Sequence, residues 1–397
     1  MLAATVRVTR DLDTAEEAVQ DAYVRALQTW GRTGVPDRPG AWLTTVARRN
    51  ALNLVQRRKT LASKLPLLVE PEDATMPEPA GAAPNTIPDD RLRLIFTCCH
   101  PALAPEAQVA LTLRLVCGVA TPDVARAFLV ADATMAARLT RAKKKIAAAR
   151  IPYAVPSAAD LPGRVDAALT VVHLLYATGH TAPSGDDLVR DDLCDRALEL
   201  ARLLRRLLPD ERETDGLLAL LLVHDARRST RTDASGRLLR LEDQDRAAWD
   251  HDVIAEADRL VVAALRAGPP GRFTLQAAIA ALHAQAPSYD ATDWPQIVAL
   301  YDELLRVWPS PVVALNRAVA VSMVDGPEAA LAEVEALARD ERLAGYRYLP
   351  ATRADLLRRL GRHAEAADAY RAALALSDNA AEQEFLTERL RSTPPAS

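Results

Sequence analysis

The residues of this 397-residue chain that point most directly to chemistry form two acid-free basic stretches, some ninety residues apart. From Ala41 to Lys64 there are six Lys or Arg and no acid, and from Ala133 to Arg150 again six and none. A basic helix that keeps its apolar spacing is suited to the phosphate backbone of a nucleic acid. Ordinary solvated helix faces mix both signs, so the missing acids argue for a polyanionic partner. In the second stretch, Thr134, Ala137 and Arg138 lie near the start of the helix and are the candidates for base edges, while Arg141, Lys143 and Lys144 are placed for phosphates. A bidentate Arg–guanine pair would give about 1–3 kcal/mol of discrimination. In the first stretch, Arg48, Arg49, Asn53, Arg57 and Arg58 are candidates for phosphate or single-strand contact. Asn50 could hydrogen-bond a base, and Trp42 could either stack on one or sit in the core.

Helices must carry these groups. Aromatic residues are only 4 % of the chain, and Ala, Leu and Arg dominate, which favours an all-α fold. Asp13 to Glu17 reads as a helix start, and Ala15, Ala18, Val19, Ala22, Tyr23, Ala26 and Leu27 follow at amphipathic spacing. A turn from Gly31 to Gly40 separates this helix from the basic one, which starts near Ala41. Six prolines between Pro66 and Pro88, among Ala, Gly and acids, mark a linker. Two helices, Leu92 to Cys98 and Glu106 to Cys117, come next. A short helix then begins at Thr121-Pro122, Leu129-Val130-Ala131 turns, and Asp132 or Thr134 caps the second basic helix. Short helix, tight turn and longer basic helix make a helix-turn-helix plan.

Beyond Pro156 the pattern is helix after helix. Near the end, Gly361, Ala366, Tyr370 and Ala373 match the closely packed positions of a tetratricopeptide hairpin, and Gly326 lies 35 residues before Gly361, near that repeat's period of about 34. A weaker echo spans Ala197 to Pro209. The expected organisation is therefore 1–64, a linker at 65–88, 89–152 with the helix-turn-helix, and a helical repeat-like domain at 160–392.

Charge divides the chain in the same way. Residues 1–154 carry 21 Lys+Arg against 15 Asp+Glu, a net of +6, and the remainder carries 28 against 38, a net of −10. A basic front and an acidic back imply different partners. The four cysteines, Cys98, Cys99, Cys117 and Cys194, make no disulfide framework and fit a reducing compartment. Cys98-Cys99-His100 lacks the ligand spacing of structural zinc, so buried small side chains are the better reading. No metal or other cofactor is expected. His173, His180, His224, His251 and His283 are scattered among helices with no triad or metal spacing, there is no phosphate-binding glycine loop, and no catalytic residue is expected. With no apolar run of about 20 residues and no signal sequence, a cytoplasmic location and no membrane partner are expected.

Together these motifs resemble the extracytoplasmic-function class of bacterial sigma factors, the promoter-recognition subunits of RNA polymerase. The likeness covers residues 3–152. Asp11 to Tyr23 looks like the region-two helix that docks on the polymerase clamp, which would make Asp13, Glu16, Glu17, Gln20 and Asp21 polymerase contacts. Ala41 through Arg58 looks like the stretch that melts and reads the upstream edge of the start site, and Thr121 to Ile146 is similar to region four, which binds the minus-thirty-five element. Family members usually carry about fifteen to twenty more residues before the equivalent of Leu2, so either the start is assigned late here or region two is trimmed. Leu94 to Pro101, Asp225-Ala226-Arg227-Arg228 and Leu241 to Arg246 resemble a subgroup with a C-terminal tetratricopeptide-like extension. In that subgroup the extension is thought to regulate the sigma factor. The resemblance implies core RNA polymerase and promoter DNA as partners, and a ligand or protein partner for the C-terminal domain. Two other readings use the same residues: a one-component helix-turn-helix regulator that never touches polymerase, and a scaffold whose long tail holds protein partners.

Overall fold

The computed structural model describes residues 1–64, 90–128, 130–154, 156, 162–182, 184–185 and 187–393. The proline-rich linker expected at 65–88 lies outside them. The described residues are almost entirely helical, as the sequence led us to expect, and none of their helices is long and apolar enough to cross a membrane. The chain forms two compact units, one of residues 1–125 and 130–171, the other of 126–129 and 172–397.

In the first unit, α1 (Leu2–Thr9), α2 (Leu12–Thr33) and α3 (Pro39–Lys64) pack on a seam of small residues. The Asp11 side chain caps α2 by accepting from the Thr14 amide at 2.8 Å. Ala15, Ala18, Ala22 and Ala26 are buried along one stripe of α2, and Ala47 and Ala51 are buried on α3. Small side chains let the two helices approach closely. Gly34, at φ 79°, ends α2. Tyr23 and Leu27 do not belong to this apolar face as expected: they are 51 % and 81 % exposed. Each follows its buried alanine by one residue, a rotation of about 100°, which carries it off the seam.

Four more helices follow: α4 (Asp90–Cys98), α5 (Pro105–Leu115), α6 (Thr121–Ala127) and α7 (Asp132–Ala148). The first two differ from expectation only at their ends. On α7, Met135, Leu139, Ala142 and Ile146 are all buried, at the i, i+4, i+7, i+11 spacing of a core stripe. Removing Met135, Leu139 and Ile146 from water contributes roughly 1.5–3 kcal/mol each. Neither Asp132 nor Thr134 caps this helix. The cap position is Ala131, with no side-chain bond, while Asp132 opens the first turn and places its carboxylate at the positive end of the helix.

In the second unit, the end of α8 (Pro162–His180) precedes α9 (Asp191–Leu207), α10 (Arg212–Ala226), α11 (His251–Arg266), α12 (Arg272–Gln285) and α13 (Trp294–Val307). After them come α14 (Pro311–Val324), α15 (Pro327–Leu337), α16 (Tyr348–Arg359), α17 (His363–Ala375) and α18 (Ala380–Ser392). Apolar nearly all round, α10 is a core helix: every residue from Leu217 to Val223 is buried. It meets α12 closely at Gly216, where a Cβ would lie 2.5 Å from the Thr274 amide nitrogen. Glu213 of α10 caps α12, accepting from the Phe273 amide at 2.7 Å and the Thr274 hydroxyl at 2.5 Å.

The sequence repeat is visible as two helix hairpins. Gly326 (φ 92°) turns α14 into α15, and Gly361 (φ 75°) turns α16 into α17. Ala366, Tyr370 and Ala373 are buried as that pattern requires. The ends of this unit also meet. Ser184–Gly185 (β1) pairs in parallel with Asp378–Asn379 (β2), a two-residue exception to the helical rule. The buried Asn379 amide donates to the carbonyls of Ala182 (3.2 Å) and Asp187 (3.0 Å), and its oxygen caps α18.

The histidines are less scattered than their spacing implied. The His180 and His224 rings lie 5.3 Å apart, and Tyr176 stacks on His180. Burial pushes the imidazoles of His173 and His283 down to about 4, with Arg272 and Arg227 respectively adding to the fall. Burial likewise holds His180 and His224 well below the ordinary value of 6.5. A depressed imidazole binds fewer protons folded than unfolded, so its stabilising effect is complete above about pH 6.5 and is lost as pH falls towards the folded value. Thermal unfolding of the full chain should therefore drop by several degrees between about pH 7 and pH 5, where carboxylates scarcely titrate. A flat profile would contradict the neutral histidine core. Separately, Gly216→Ala should cost roughly 1–3 kcal/mol by forcing α10 and α12 apart, read by denaturant unfolding.

Candidate nucleic-acid and polymerase interface

Because the core stripe fixes the rotation of α7, its opposite side is set as well. Thr134, Ala137, Arg141 and Lys144 are exposed and Arg138 is half-buried, together forming one ridge along the helix. Lys143, also expected on phosphate, is half-buried. Its Nζ lies 2.9 Å from Asp13 Oδ1 and 2.7 Å from Glu16 Oε2 of α2. Burial works against the ammonium charge, but the hydrogen bonds to Asp13 and Glu16 more than offset it and hold the amine above its usual range. The structure thus joins a residue expected on DNA to two expected on polymerase.

Neighbouring bonds brace the same region. The Tyr153 hydroxyl sits 2.9 Å from the Ala3 carbonyl oxygen and 2.7 Å from that of Asp90, linking α1 to α4. The buried Arg164 guanidinium donates to the Phe96 carbonyl at 3.0 Å, satisfying a carbonyl near the end of α4.

On α3, Arg48, Arg49, Asn53 and Arg57 are exposed and Asn50 is half-buried. Arg49, Asn53 and Arg57 recur at helical spacing, with Asn50 beside them, away from buried Ala47 and Ala51. The side chain of Arg58 lies outside the described residues. Trp42 is half-buried with its ring 5.4 Å from that of Trp30, so it is neither a free stacking platform nor a core residue.

Sequence reasoning missed part of α2. Glu17, Gln20 and Asp21 are exposed, and Tyr23, Val24 and Leu27 continue their surface with exposed apolar side chains. A soluble helix rarely shows three such neighbours without a partner to cover them. The signal was available: alanines recur along the stripe that packs inward, which leaves the larger residues on another side of the helix.

The arrangement offers binding chemistry. All four cysteines are buried and none is in a disulfide, and burial pushes the Cys99 thiol up to about 12. Among the described residues no group of three His, Cys, Asp or Glu is placed to hold a metal ion.

Three stretches of the chain match known protein families. Residues 2–60 match sigma-70 region 2 and residues 93–146 match sigma-70 region 4. Residues 164–265 match a family of unknown function, DUF6596. A protein of Rhizobium meliloti (strain 1021), described as uncharacterised, is 46 % identical over 391 residues, covering 98 % of this chain and 92 % of its own length. No solved structure matches the chain. Two sigma regions in order, each on the helices described above, make core RNA polymerase and promoter DNA its partners, and the chain belongs to the sigma-70 family as an extracytoplasmic-function-like sigma factor with a C-terminal extension.

Proposed function

We propose that α7 reads the upstream promoter element through Thr134, Ala137 and Arg138, with Arg141 and Lys144 on the flanking phosphates. Arg48, Arg49, Asn50, Asn53 and Arg57 of α3 hold the strands where the duplex opens, with Trp42 at the edge of that surface. Glu17, Gln20 and Asp21 dock on polymerase together with the apolar Tyr23, Val24 and Leu27. The observation that carries this reading is the exposed α7 ridge, backed by a helix side that is wholly buried. Reversing two charges, Arg141→Glu with Lys144→Glu, should weaken promoter binding at all sequences alike and lower the salt slope by about one unit per lost phosphate contact. Replacing Arg138 with Ala should instead relax the preference at one base pair, by about 1–3 kcal/mol. Unchanged occupancy in the double variant at physiological salt would refute the assignment.

Lys143 gives the two partners a shared switch. While it pairs with Asp13 and Glu16, it is withheld from phosphate and they are withheld from polymerase, so either partner that opens the pair favours the other. Lys143→Ala should therefore tighten core polymerase binding by about two- to fivefold, the range of an ion pair with one solvent-exposed partner, while weakening DNA binding. Loss of affinity for both partners would contradict the linkage.

The C-terminal domain regulates initiation. Its net charge is opposite to that of the sigma half, and its ends are tied together at β1 and β2, which suits a self-contained module. A cut after residue 181 keeps α8, and with it the Arg164–Phe96 bond, on the sigma half. Promoter-specific transcription by that fragment should differ from the full chain by several-fold: a rise identifies restraint, and a fall identifies assistance. Equal activity would reject a regulatory role.

A further inference from the structure

Within the second unit, α14, α16, α17, α18 and two irregular loops line a cavity of about 510 Å³. That is within the size range of sites that take a small organic molecule. Val319, Met323, Leu356, Phe385 and Leu386 supply its apolar lining, and Tyr289 and Tyr370 add rings with polar edges. Four arginines, Arg240, Arg358, Arg359 and Arg389, also face it.

The arginines are not equivalent. Arg358 is held by Asp355 at 2.7 Å, and Arg240 is engaged by Glu242 and Asp243. Arg359 is different: its two terminal nitrogens donate to the hydroxyl of the buried Ser322 (2.8 Å) and to that residue's carbonyl (3.0 Å). Arg389 lies over the Phe385 ring at 5.5 Å. Both guanidinium groups are thus oriented by neutral partners, and no carboxylate is seen to balance either one among the described residues. Asp290, exposed on the cavity wall, is the one lining acid without an arginine on it. Planar cations fixed in place but left with their charge bind oxyanions well, because little side-chain freedom is lost on contact.

We propose that this cavity binds a small amphipathic organic anion, with its oxyanion head on Arg359 and Arg389 and its apolar body on the Met323–Leu356–Phe385 floor. The site stands independently of whether the domain restrains or assists initiation. The two arginines and the apolar floor come from α14, α16 and α18, so occupancy would tie the two hairpins together.

The test uses the full-length protein and 8-anilinonaphthalene-1-sulfonate, an aromatic sulfonate whose fluorescence rises on binding. One saturable site per chain is expected, from which decanoate displaces the dye while decanol does not. Arg359→Gln and Arg389→Gln should each weaken dye binding by about tenfold or more, whereas Arg371→Gln, at an exposed pair elsewhere on α17, should leave it unchanged. Equal binding by the double Arg359→Gln, Arg389→Gln variant would overturn the proposal. So would displacement by decanol as effective as by decanoate, which would mark a merely greasy cleft, or displacement by acidic peptides alone, which would mark a protein partner. If a variant fails to fold, the wild-type chain decides: decanoate should raise its Tm and decanol should not, and no difference between them rejects the site.

Discussion

The buried stripe of Met135, Leu139, Ala142 and Ile146 is the constraint on which the proposed DNA-reading surface depends. A helix fixed by four such positions has no freedom to roll, so the side chains between them point where geometry sends them. Arg138, Arg141 and Lys144 become a ridge with no adjustment of their own. The cationic residues contribute little to folding; the apolar ones place them. This division explains how a chain with a net charge of −4 can still present a strongly basic edge.

Against that rigid ridge, the Lys143 pair is the adjustable element. Ion pairs with one largely exposed partner are weak in water, and Asp13 is such a partner at 70 % exposure. Weakness suits the proposed role, because a partner bringing several phosphates or a basic polymerase surface would displace the pair at little cost. The deeper bonds nearby, Tyr153 to the Ala3 and Asp90 carbonyls and Arg164 to the Phe96 carbonyl, involve backbone acceptors and hold the framework while the surface pair exchanges.

What could be read from sequence was whatever a single helix decides for itself. The period of α7, the alanine stripe of α2 and the 35-residue spacing of Gly326 and Gly361 are local patterns, and each reappears as buried stripes or as left-handed turns. Contacts between distant residues could not be read in that way. Lys143 and Asp13 stand 130 positions apart, and Asn379 reaches back 197 positions to Ala182. Nothing in a period of 3.6 residues announces such a meeting. The histidines failed for the same reason: His180 and His224 look unrelated along the chain, yet their rings touch because α8 and α10 bring them side by side. On α2 the error was one of phase. Tyr23 and Leu27 fit an apolar pattern, but the closer fit of the alanines to α3 took the seam, and the larger residues were left outside.

The central claim is that this chain gives core polymerase a promoter to start from. Transcription from genomic fragments by purified bacterial core polymerase, with and without the full-length protein, tests it most directly. The account predicts discrete start sites that appear only with the protein and share two upstream sequence elements. Transcripts without defined starts, or core polymerase that does not retain the protein at all, would contradict it.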